Sequence, residues 1–386
     1  MHPRSSPPWL AAAGLWVAAA AAYSAVNVTE LDALFGRHPP LPALDAVAGA
    51  ILSPLMVPRP PGSAGSAAVF DHMASFFARN VSGWTAEVDE FTQTISGLEP
   101  DSEAGETAEA VAAWNRPVTF RNLVVRKTPP WLDEDYASYL TLAAHYDSKV
   151  LPAGFVGATD SAVPCGMLMY LAAVLDDALD RRWGSMANSS HTPDERGLQI
   201  IFLDGEEAFG KWSDADSLYG ARHLADLWDD PVRRTVAGRT SRLGAIDLFV
   251  LLDLLGAPAP SVPSYFPTTT WAHTRMHDLE LRLRRHGSTR TYTERGFGGQ
   301  KTFLLNPADP RNSYFHHSAD TAVEDDHVPF LRRGVEVLHV LPVPFPKVWH
   351  TLDDDAAHVD PATVHDWAKI VTGFVAEYLH LGTFLD

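Results

Sequence analysis

Two adjacent glutamates, Glu206 and Glu207, end an apolar run in the segment FLDGEEAF, residues 202–209. Adjacent like charges repel, so the surroundings of the two carboxylates must give them different roles. One can bind a metal ion, whose charge relieves the repulsion, while its neighbour acts as general acid or base. An ordinary solvated helix start, favoured by the helix dipole, would also accommodate the pair. The pair suggests metal-assisted catalysis without deciding it.

Further acids and histidines follow other apolar stretches of the chain. Asp253 interrupts FVLLDLLGAP, where burial of an unpaired carboxylate is costly, so a functional or tightly bonded role is favoured. His145 lies in HYDSK, Asp160 in GATDSAVP and His350 in PFPKVWHT. Taken singly, Asp160 could cap a helix and the histidines could be hydrogen-bonded structural residues. Together they match catalytic zinc, which takes three nitrogen or oxygen ligands and keeps one open position.

The elements that must position these residues alternate between strands and helices. Predicted strands cover 118–125, 139–145, 198–204, 246–252 and 335–341, and predicted helices cover 67–79, 161–179, 217–228, 270–286 and 361–381, the last with Asp360 as its N-cap. This alternation predicts an α/β fold with a mostly parallel central sheet and helices on both faces. In such sheets ligands bind outside the carboxyl ends of the strands, where the candidate residues fall.

Composition narrows the function further. The chain has 386 residues, 46% of them hydrophobic, which is enough for a large core. A formal charge of −18 without any basic stripe argues against nucleic-acid binding. The acidic surface favours cationic ligands such as peptide amines, or serves only solubility. Cys165 is the only cysteine in the sequence, which excludes an intrachain disulfide.

The amino-terminal region predicts entry into the secretory pathway. An apolar run over 9–26, WLAAAGLWVAAAAAYSAV, suits an uncleaved signal-anchor, although Ala22 and Ser24 would also suit a signal peptidase. The predicted organisation is a short cytosolic tail at 1–8, the signal-anchor or signal peptide at 9–26, a tether with short helices at 27–62, and one catalytic domain at 63–386. Three N-x-[ST] sequons fit a glycoprotein: Asn27, Asn80 and Asn188.

Several stretches together resemble the glutaminyl-peptide cyclotransferases, which share a fold with zinc-dependent aminopeptidases. The resemblance covers residues 61–381 and rests on HYDSK, FVGATDSAVPCGM, FLDGEEAF, DSLYGARHLA, LLDLLGAPAP, EDDHVPFLRRGVEVLHV and PFPKVWHT. Two of these, EDDHVPFLRRG and LLDLLGAP, look closer to the Golgi-resident form than to the secreted one. The family implies a single zinc-hydrolase-like catalytic domain.

The resemblance assigns roles residue by residue. It implies one zinc ion per chain, bound by Asp160, Glu207 and His350, with Glu206 as general acid and base. A pair of acids that share hydrogen bonds and steady the departing amide, and three aromatic walls of the pocket, complete the implied site: Asp253 and Asp325, then Trp212, Phe345 and Trp349. Each aromatic residue alone would more readily be read as ordinary core packing.

The implied reaction converts amino-terminal glutamine of peptides and proteins, and more slowly glutamate, to pyroglutamate with release of ammonia or water. The implied protein is a monomeric, lumenal catalytic domain on a Golgi membrane anchor, or alternatively a secreted enzyme. Two other readings stay open: a two-zinc aminopeptidase that uses His145 and Asp253 for a second metal, and a non-catalytic membrane-tethered binding protein. Ala144 stands where relatives often have a cysteine, which predicts a free, buried Cys165 thiol. The segment 298–320 departs from the family pattern.

Overall fold

A six-stranded mixed sheet organises the protein. The computed structural model describes residues 25–36, 39–101, 106–112, 114–134, 137–186, 196–231, 233–235, 238–258, 260–289, 315–316 and 323–385. The apolar run up to residue 24, the sequon at Asn188 and nearly all of 298–320 lie outside these residues. The described strands are β1 Trp84–Thr94, β2 Pro117–Lys127, β3 Ser138–His145, β4 Arg196–Leu203, β5 Arg233–Thr235, β6 Gly238–Thr240, β7 Ile246–Leu252, β8 Val262–Pro263, β9 Phe315–His316 and β10 Val337–Val340.

The strand order of the main sheet is β1-β2-β4-β3-β7-β10. β4, β3, β7 and β10 run parallel to one another, whereas β2 pairs antiparallel with both β1 and β4. The four parallel strands therefore end at the same edge. The expectation of a mostly parallel sheet is confirmed, with an antiparallel hairpin added at one side.

Helices cover both faces of the sheet, as predicted. Those described are α1 Val28–Phe35, α2 Ala64–Asn80, α3 Ala108–Ala112, α4 Val163–Met186, α5 Tyr219–Asp229, α6 Thr270–His286, α7 Val328–Leu331 and α8 Pro361–Tyr378. The larger core packs α1, α2, α4, α6 and α8 on one face. A second core packs α5 and α7 on the other. Alternate residues of β4 divide between the two, with Ile200 and Phe202 in the first and Ile201 and Leu203 in the second, because strand side chains point alternately to opposite faces.

The first strand of the hairpin was not predicted. β1, WTAEVDEFTQT, buries little more than Asp89, and its other side chains are half-buried or exposed. Such a polar edge strand lacks the apolar face from which strands are predicted, while its charges protect the sheet edge from pairing with other chains. The helix bounds also differ from the predicted ones. α4 begins at Val163, after an irregular turn, and not at 161. α8 begins after Asp360 as expected but ends at Tyr378 and not at 381.

The segment predicted as a tether does contain short helices, and these pack into the larger core. α1 and two 3₁₀ turns, Leu41–Leu44 and Ser53–Leu55, contribute buried side chains. They are Leu31, Leu34, Phe35, Leu44, Leu52 and Leu55. Residues 27–55 are therefore part of the folded body, while the division of the whole chain into tail, anchor and domain stays a prediction.

One described helix is long and apolar enough to cross a membrane, but it belongs to the core. It is α4, taken together with the irregular turn before it as Ala158–Met186, and 89% of its most apolar stretch is buried inside the domain. Cys165 lies on this helix as a free, buried thiol, as predicted, and donates to the carbonyl of His145 at 3.2 Å.

Candidate active site and metal centre

The candidate residues come together where the parallel strands end. His145 is the last residue of β3, Asp204 follows β4, and Asp253 follows β7. His350 lies ten residues beyond the end of β10. A shared sheet edge thus gathers side chains that are far apart in sequence, as expected for a sheet of this type.

Three of the sequence-predicted site residues form a candidate metal centre. One donor atom each from Asp160, Glu207 and His350 lies within 4.8 Å of the others. His350 Nε2 is 3.5 Å from both Asp160 Oδ2 and Glu207 Oε2. Asp160 Oδ2 and Glu207 Oε1 are buried without a hydrogen-bond partner in the described part of the chain. Since buried carboxylate oxygens are normally satisfied, two oxygens and an imidazole facing one another fit a divalent cation such as zinc.

A second group of potential ligands shares Asp160 with the first. His145, Asp160 and Asp253 also place donor atoms within 4.8 Å of one another. These atoms are already bonded: His145 Nε2 is 3.0 Å from Asp160 Oδ1, and Asp253 Oδ1 accepts bonds from Ser161 Oγ and from the Leu254 N–H. The facing atoms of the second group are therefore bonded within the protein, although His145 Nδ1 is buried without a hydrogen-bond partner among the described residues.

Asp147 holds the two glutamates in place. Its carboxylate accepts the Glu206 N–H at 3.1 Å through Oδ1 and the Glu207 N–H at 3.2 Å through Oδ2. Gly205, with φ of 76°, makes the turn from β4 into this pair, and a Cβ there would lie 2.5 Å from the Phe120 ring. The N-terminal end of α5 secures the same turn, because the Tyr219 N–H donates to the Gly205 carbonyl at 2.7 Å.

The turn that carries Asp160 is equally constrained. It departs from helical geometry at Asp160, where φ is −119° and ψ is 75°. Gly157 begins the turn with φ of 61°, and a Cβ at that position would lie 2.1 Å from the Asp160 carbonyl oxygen. Only glycine fits there. The Asp160 carboxylate contacts two histidines and accepts no capping hydrogen bond from a helix N–H among the described residues. Its metal-ligand interpretation is therefore geometrically possible and its helix-cap interpretation is wrong.

The negative charge of the site dominates its electrostatics. Burial disfavours a charged His350, but the nearby carboxylates of Glu207 and Asp160 prevail and raise its pKa to about 10. Burial likewise opposes charge on His145, whose pKa is nevertheless raised by Asp147, Asp160 and Asp253. Burial and the adjacent Glu207 raise the pKa of Glu206. A site that stabilises cations this strongly suits a metal ion.

Asp253 and Asp325 occupy different surroundings. Burial first, and then the charge of Asp325, raise the pKa of Asp253 to about 6. Burial alone would raise the pKa of Asp325, but the His339 hydrogen bond, with 2.7 Å between Asp325 Oδ2 and His339 Nε2, and the charges of His339 and His327 together lower it. Asp325 also accepts the Asp326 N–H at 2.6 Å. Among the described residues no hydrogen bond joins the two carboxylates directly, and their partners differ: Ser161 and Leu254 for Asp253, and His339 and Asp326 for Asp325. The expected sharing of hydrogen bonds stays a prediction.

A cavity joins eight of the nine sequence-predicted site residues. Its lining includes Glu206, the three candidate ligands, Asp253 and all three predicted aromatic residues, while Asp325 is not among the lining residues and is 2% exposed. Phe345 and Trp349 pack edge to face with ring centroids 4.9 Å apart. Trp349 also stacks on His350 at 3.9 Å and is 38% exposed at the rim. Leu254, Val323, Glu324 and Leu341 complete the described lining.

Comparison with known proteins identifies the family of the chain. Residues 124–375 match the model of Peptidase family M28. The chain is 42% identical over 335 residues to the glutaminyl-peptide cyclotransferase-like protein of Bos taurus, covering 86% of this chain and 74% of that protein. It is 40% identical over 336 residues to the glutaminyl-peptide cyclotransferase of Bos taurus, covering 86% of this chain and 81% of that one. The chain belongs to the glutaminyl-peptide cyclotransferase family.

Solved structures of related proteins share the fold over most of this chain. The crystal structure of Macrostomum lignano glutaminyl cyclase superposes with a TM-score of 0.72 at 28% identity, covering 93% of this chain and 95% of that one. A leucine aminopeptidase precursor from Bacteroides thetaiotaomicron has a TM-score of 0.53 at 17% identity, with 91% of this chain and 98% of that one covered. The cyclotransferase family thus shares its α/β fold with aminopeptidases, as the sequence motifs implied.

Three residues that support the cyclotransferase site were not among the predicted site residues. His339 bonds Asp325, and Asp354 accepts the Thr159 N–H at 2.8 Å next to Asp160. Arg59 is fully buried and donates to the carbonyls of Tyr146 and Gly157. His339 stands inside the predicted strand 335–341, where a polar residue in an apolar run was a usable signal. Asp354 and Arg59 lie in polar or Pro-rich segments that give none.

Proposed function

We propose that this chain is a zinc-dependent glutaminyl-peptide cyclotransferase that converts amino-terminal glutamine, and more slowly glutamate, to pyroglutamate. The observation that supports this most is the joint presence, in one cavity, of the unsatisfied Asp160, Glu207 and His350 group and of Glu206. Membership of the cyclotransferase family supplies the reaction class.

The three candidate ligands would hold the zinc ion. When bound, zinc supplies Lewis-acid polarisation of the substrate γ-carbonyl. Glu206 removes a proton from the substrate α-amine as the amine nitrogen bonds to Cδ, the carbonyl carbon of the γ-amide. It then returns a proton to the amide nitrogen as the carbon–nitrogen bond breaks and ammonia leaves. The α-ammonium has an ordinary pKa of about 8, so a fraction is already neutral near neutral pH and the base has modest work to do.

The remaining site residues orient the substrate and the leaving amide. Asp253 and Asp325 are proposed to steady the departing amide, Asp253 from the cavity wall and Asp325 through its charge, which acts on Asp253. Trp212, Phe345 and Trp349 form aromatic walls around the glutamine side chain. Such a compact pocket holds nucleophile and carbonyl together, which lowers the entropic part of the barrier.

A two-zinc aminopeptidase is the second candidate, because His145, Asp160 and Asp253 form a second group of donors. We favour one zinc, since the donors of this group are bonded to each other and to Ser161. Counting zinc in the purified protein distinguishes the two: about one ion per chain supports the cyclotransferase, and about two support the peptidase.

Incubation of the purified protein with a Gln-initiated peptide tests the activity. We expect the peptide to lose the mass of one ammonia, and the loss to stop when a chelator strips the metal and resume when zinc is returned. Release of the amino-terminal residue as a free amino acid would show the peptidase instead. Binding of the peptide without any mass change would support the non-catalytic alternative.

The proposed location is the Golgi membrane, with the apolar run 9–26 as anchor and the catalytic domain in the lumen. The wording of EDDHVPFLRRG and LLDLLGAP supports the Golgi-resident form. Val26, at the end of the run, is 5% exposed, and its N–H donates to Glu377 Oε1 at 2.9 Å while Arg282 donates to its carbonyl at 2.9 Å. An uncleaved anchor would thus join the folded domain without slack and hold it close to the bilayer.

A further inference from the structure

Asp160 and His350 are nearly two hundred residues apart in sequence, and Asp354 joins the segments that carry them. The Asp354 Oδ1 atom accepts the Thr159 N–H at 2.8 Å. The Asp354 carbonyl accepts the Ala158 N–H at 3.0 Å. One residue therefore binds two successive N–H groups immediately before Asp160, from a position four residues after His350.

Burial makes these bonds hard to replace. Asp354 and Ala158 are fully buried, and Thr159 is 1% exposed. Water has little access, so without the carboxylate the Thr159 N–H would lack a partner, which a buried backbone group rarely does. The backbone of the turn has few other bonds, because Asp160 and Ser161 depart from helical geometry.

The His350 side of the connection is also defined by Asp354. His350 has φ of 55°, an uncommon value for a residue other than glycine, so its backbone must be held by its neighbours. The Asp354 N–H donates to the Thr351 carbonyl at 3.1 Å, and the Thr351 N–H donates to the Val348 carbonyl at 3.0 Å. Asp354 thus closes a series of turns around His350 while its carboxylate binds the Asp160 turn.

We infer that Asp354 is a positioning residue that sets metal affinity by holding the Asp160 turn against the His350 segment. This inference rests on the proposed metal centre. Residues that orient metal ligands from behind typically change metal affinity by about 10- to 100-fold when they are replaced. The essential feature of Asp354 is an acceptor oxygen at the Oδ1 position, because the group it binds is a neutral N–H.

Three variants of the full chain test the inference: Asp354→Ala removes the acceptor, Asp354→Asn keeps an oxygen in place, and Asp353→Ala is the matched control. Asp353 is the exposed neighbour, and its backbone N–H donates to the Thr351 hydroxyl at 3.3 Å, a bond that alanine retains. We measure the zinc dissociation constant by competition with a chromophoric chelator, and thermal unfolding of the metal-free proteins. Asp354→Ala is expected to weaken zinc binding by about 10- to 100-fold. Asp354→Asn and Asp353→Ala should stay within about threefold of the wild type.

The outcomes separate this inference from the proposed function. If the wild type binds zinc and Asp354→Ala binds it equally well, or if Asp354→Asn loses as much affinity as Asp354→Ala, the positioning role is wrong and the zinc centre stands. A wild type that binds no zinc overturns both. Should Asp354→Ala fail to fold, Asp354→Glu replaces it, since it keeps the charge but misplaces the oxygen; weaker zinc binding than in Asp354→Asn supports the role, and equal binding refutes it.

Discussion

At the scale of single residues, the two adjacent glutamates differ in what surrounds their carboxylates although Asp147 binds both backbones. Both side chains line the cavity, but Glu207 lies 3.5 Å from His350 within the candidate metal group, to which Glu206 does not belong. Side chains of neighbouring residues diverge from a common backbone, so a shared anchor is compatible with separate tasks.

This asymmetry gives a prediction for two isosteric variants. Glu206→Gln should keep about one zinc ion per chain and lose about 10²- to 10⁴-fold in kcat, because the proton acceptor is gone and the metal ligands are intact. Glu207→Gln should lose zinc first and activity as a consequence. Metal analysis and ammonia release on the same samples check both. Full turnover by Glu206→Gln would contradict its role as general base.

His327, two residues after the candidate site residue Asp325, gives a prediction for pH. It is 2% exposed; burial first, and then the charge of His339, lower its pKa to about 3 against the opposing effect of Asp325. In the unfolded chain its pKa is about 6.5, so between these values the unfolded state binds the proton and stability falls as pH falls. As pH falls from 8 to 5, this histidine should cost the wild type about 2 kcal/mol of unfolding free energy. His327→Gln lacks this loss, so its stability relative to the wild type should rise by the same amount.

Denaturant unfolding of both proteins at several pH values measures this difference. A lower stability of the variant than of the wild type at every pH is compatible with the prediction, because Gln lacks the ring that packs against Phe266. Only the change of the difference with pH is diagnostic. A difference that stays constant from pH 8 to pH 5 would show that His327 does not titrate as expected.

At the scale of elements, the site depends on turns that leave strand ends with unusual geometry. Gly157 and Gly154 lie in the same connection from β3 to α4 and both have positive φ, 61° and 92°. They differ in their surroundings: a Cβ at Gly157 would clash with the Asp160 carbonyl at 2.1 Å, whereas nothing lies within 4 Å of one at Gly154. Substitution of both glycines therefore distinguishes steric displacement of the Asp160 turn, which only Gly157 would cause, from backbone strain, which both would cause.

Alanine at these two glycines should therefore have unequal effects. Both variants are expected to lose about 1 to 3 kcal/mol of stability from the left-handed backbone. Gly157→Ala should in addition weaken zinc binding, because Asp160 must move, while Gly154→Ala should bind zinc as the wild type does. Chelator competition on the two folded variants provides the comparison. Equal zinc affinities would mean that the turn tolerates the displacement.

At the scale of the whole molecule, the amino-terminal segment is part of the core that supports the site. Leu31 in α1 is fully buried and approaches α8 closely, since a Cβ on Gly373 would lie 2.8 Å from its Cδ2 atom. Val47, in the same segment, is 73% exposed. The segment thus offers a buried and an exposed apolar residue for direct comparison.

Leu31→Ala should lower the free energy of unfolding by about 2 to 5 kcal/mol, because it removes buried methyl groups and leaves a cavity. Val47→Ala should change it by less than about 0.5 kcal/mol. Guanidinium unfolding of chains that begin at Ala25 tests both values. Similar small effects at the two positions would indicate that α1 contributes little to the folded body and behaves as a tether.

The sequence predicted the residues that line the cavity better than it predicted the elements and side chains that support them. Asp160, Glu206, Glu207, Asp253 and His350 stand out because glycine, proline or apolar residues flank them, and all five line one cavity. Their specific roles stay predictions. The edge strand β1 escaped notice because its side chains are mostly polar, and Arg59 and Asp354 did so because buried backbone contacts leave no pattern in sequence.

The sequence by itself determined the alternation of strands and helices, the class of chemistry and the motifs of a family. These depend on local periodicity and on residue type, which a single chain displays directly. Tertiary structure alone decided that the candidate ligands on separate loops face one another, that 27–55 belongs to the core, and that the second donor group is internally bonded. Each of these depends on contacts between residues distant in sequence, whose partners are set by packing and not by local pattern.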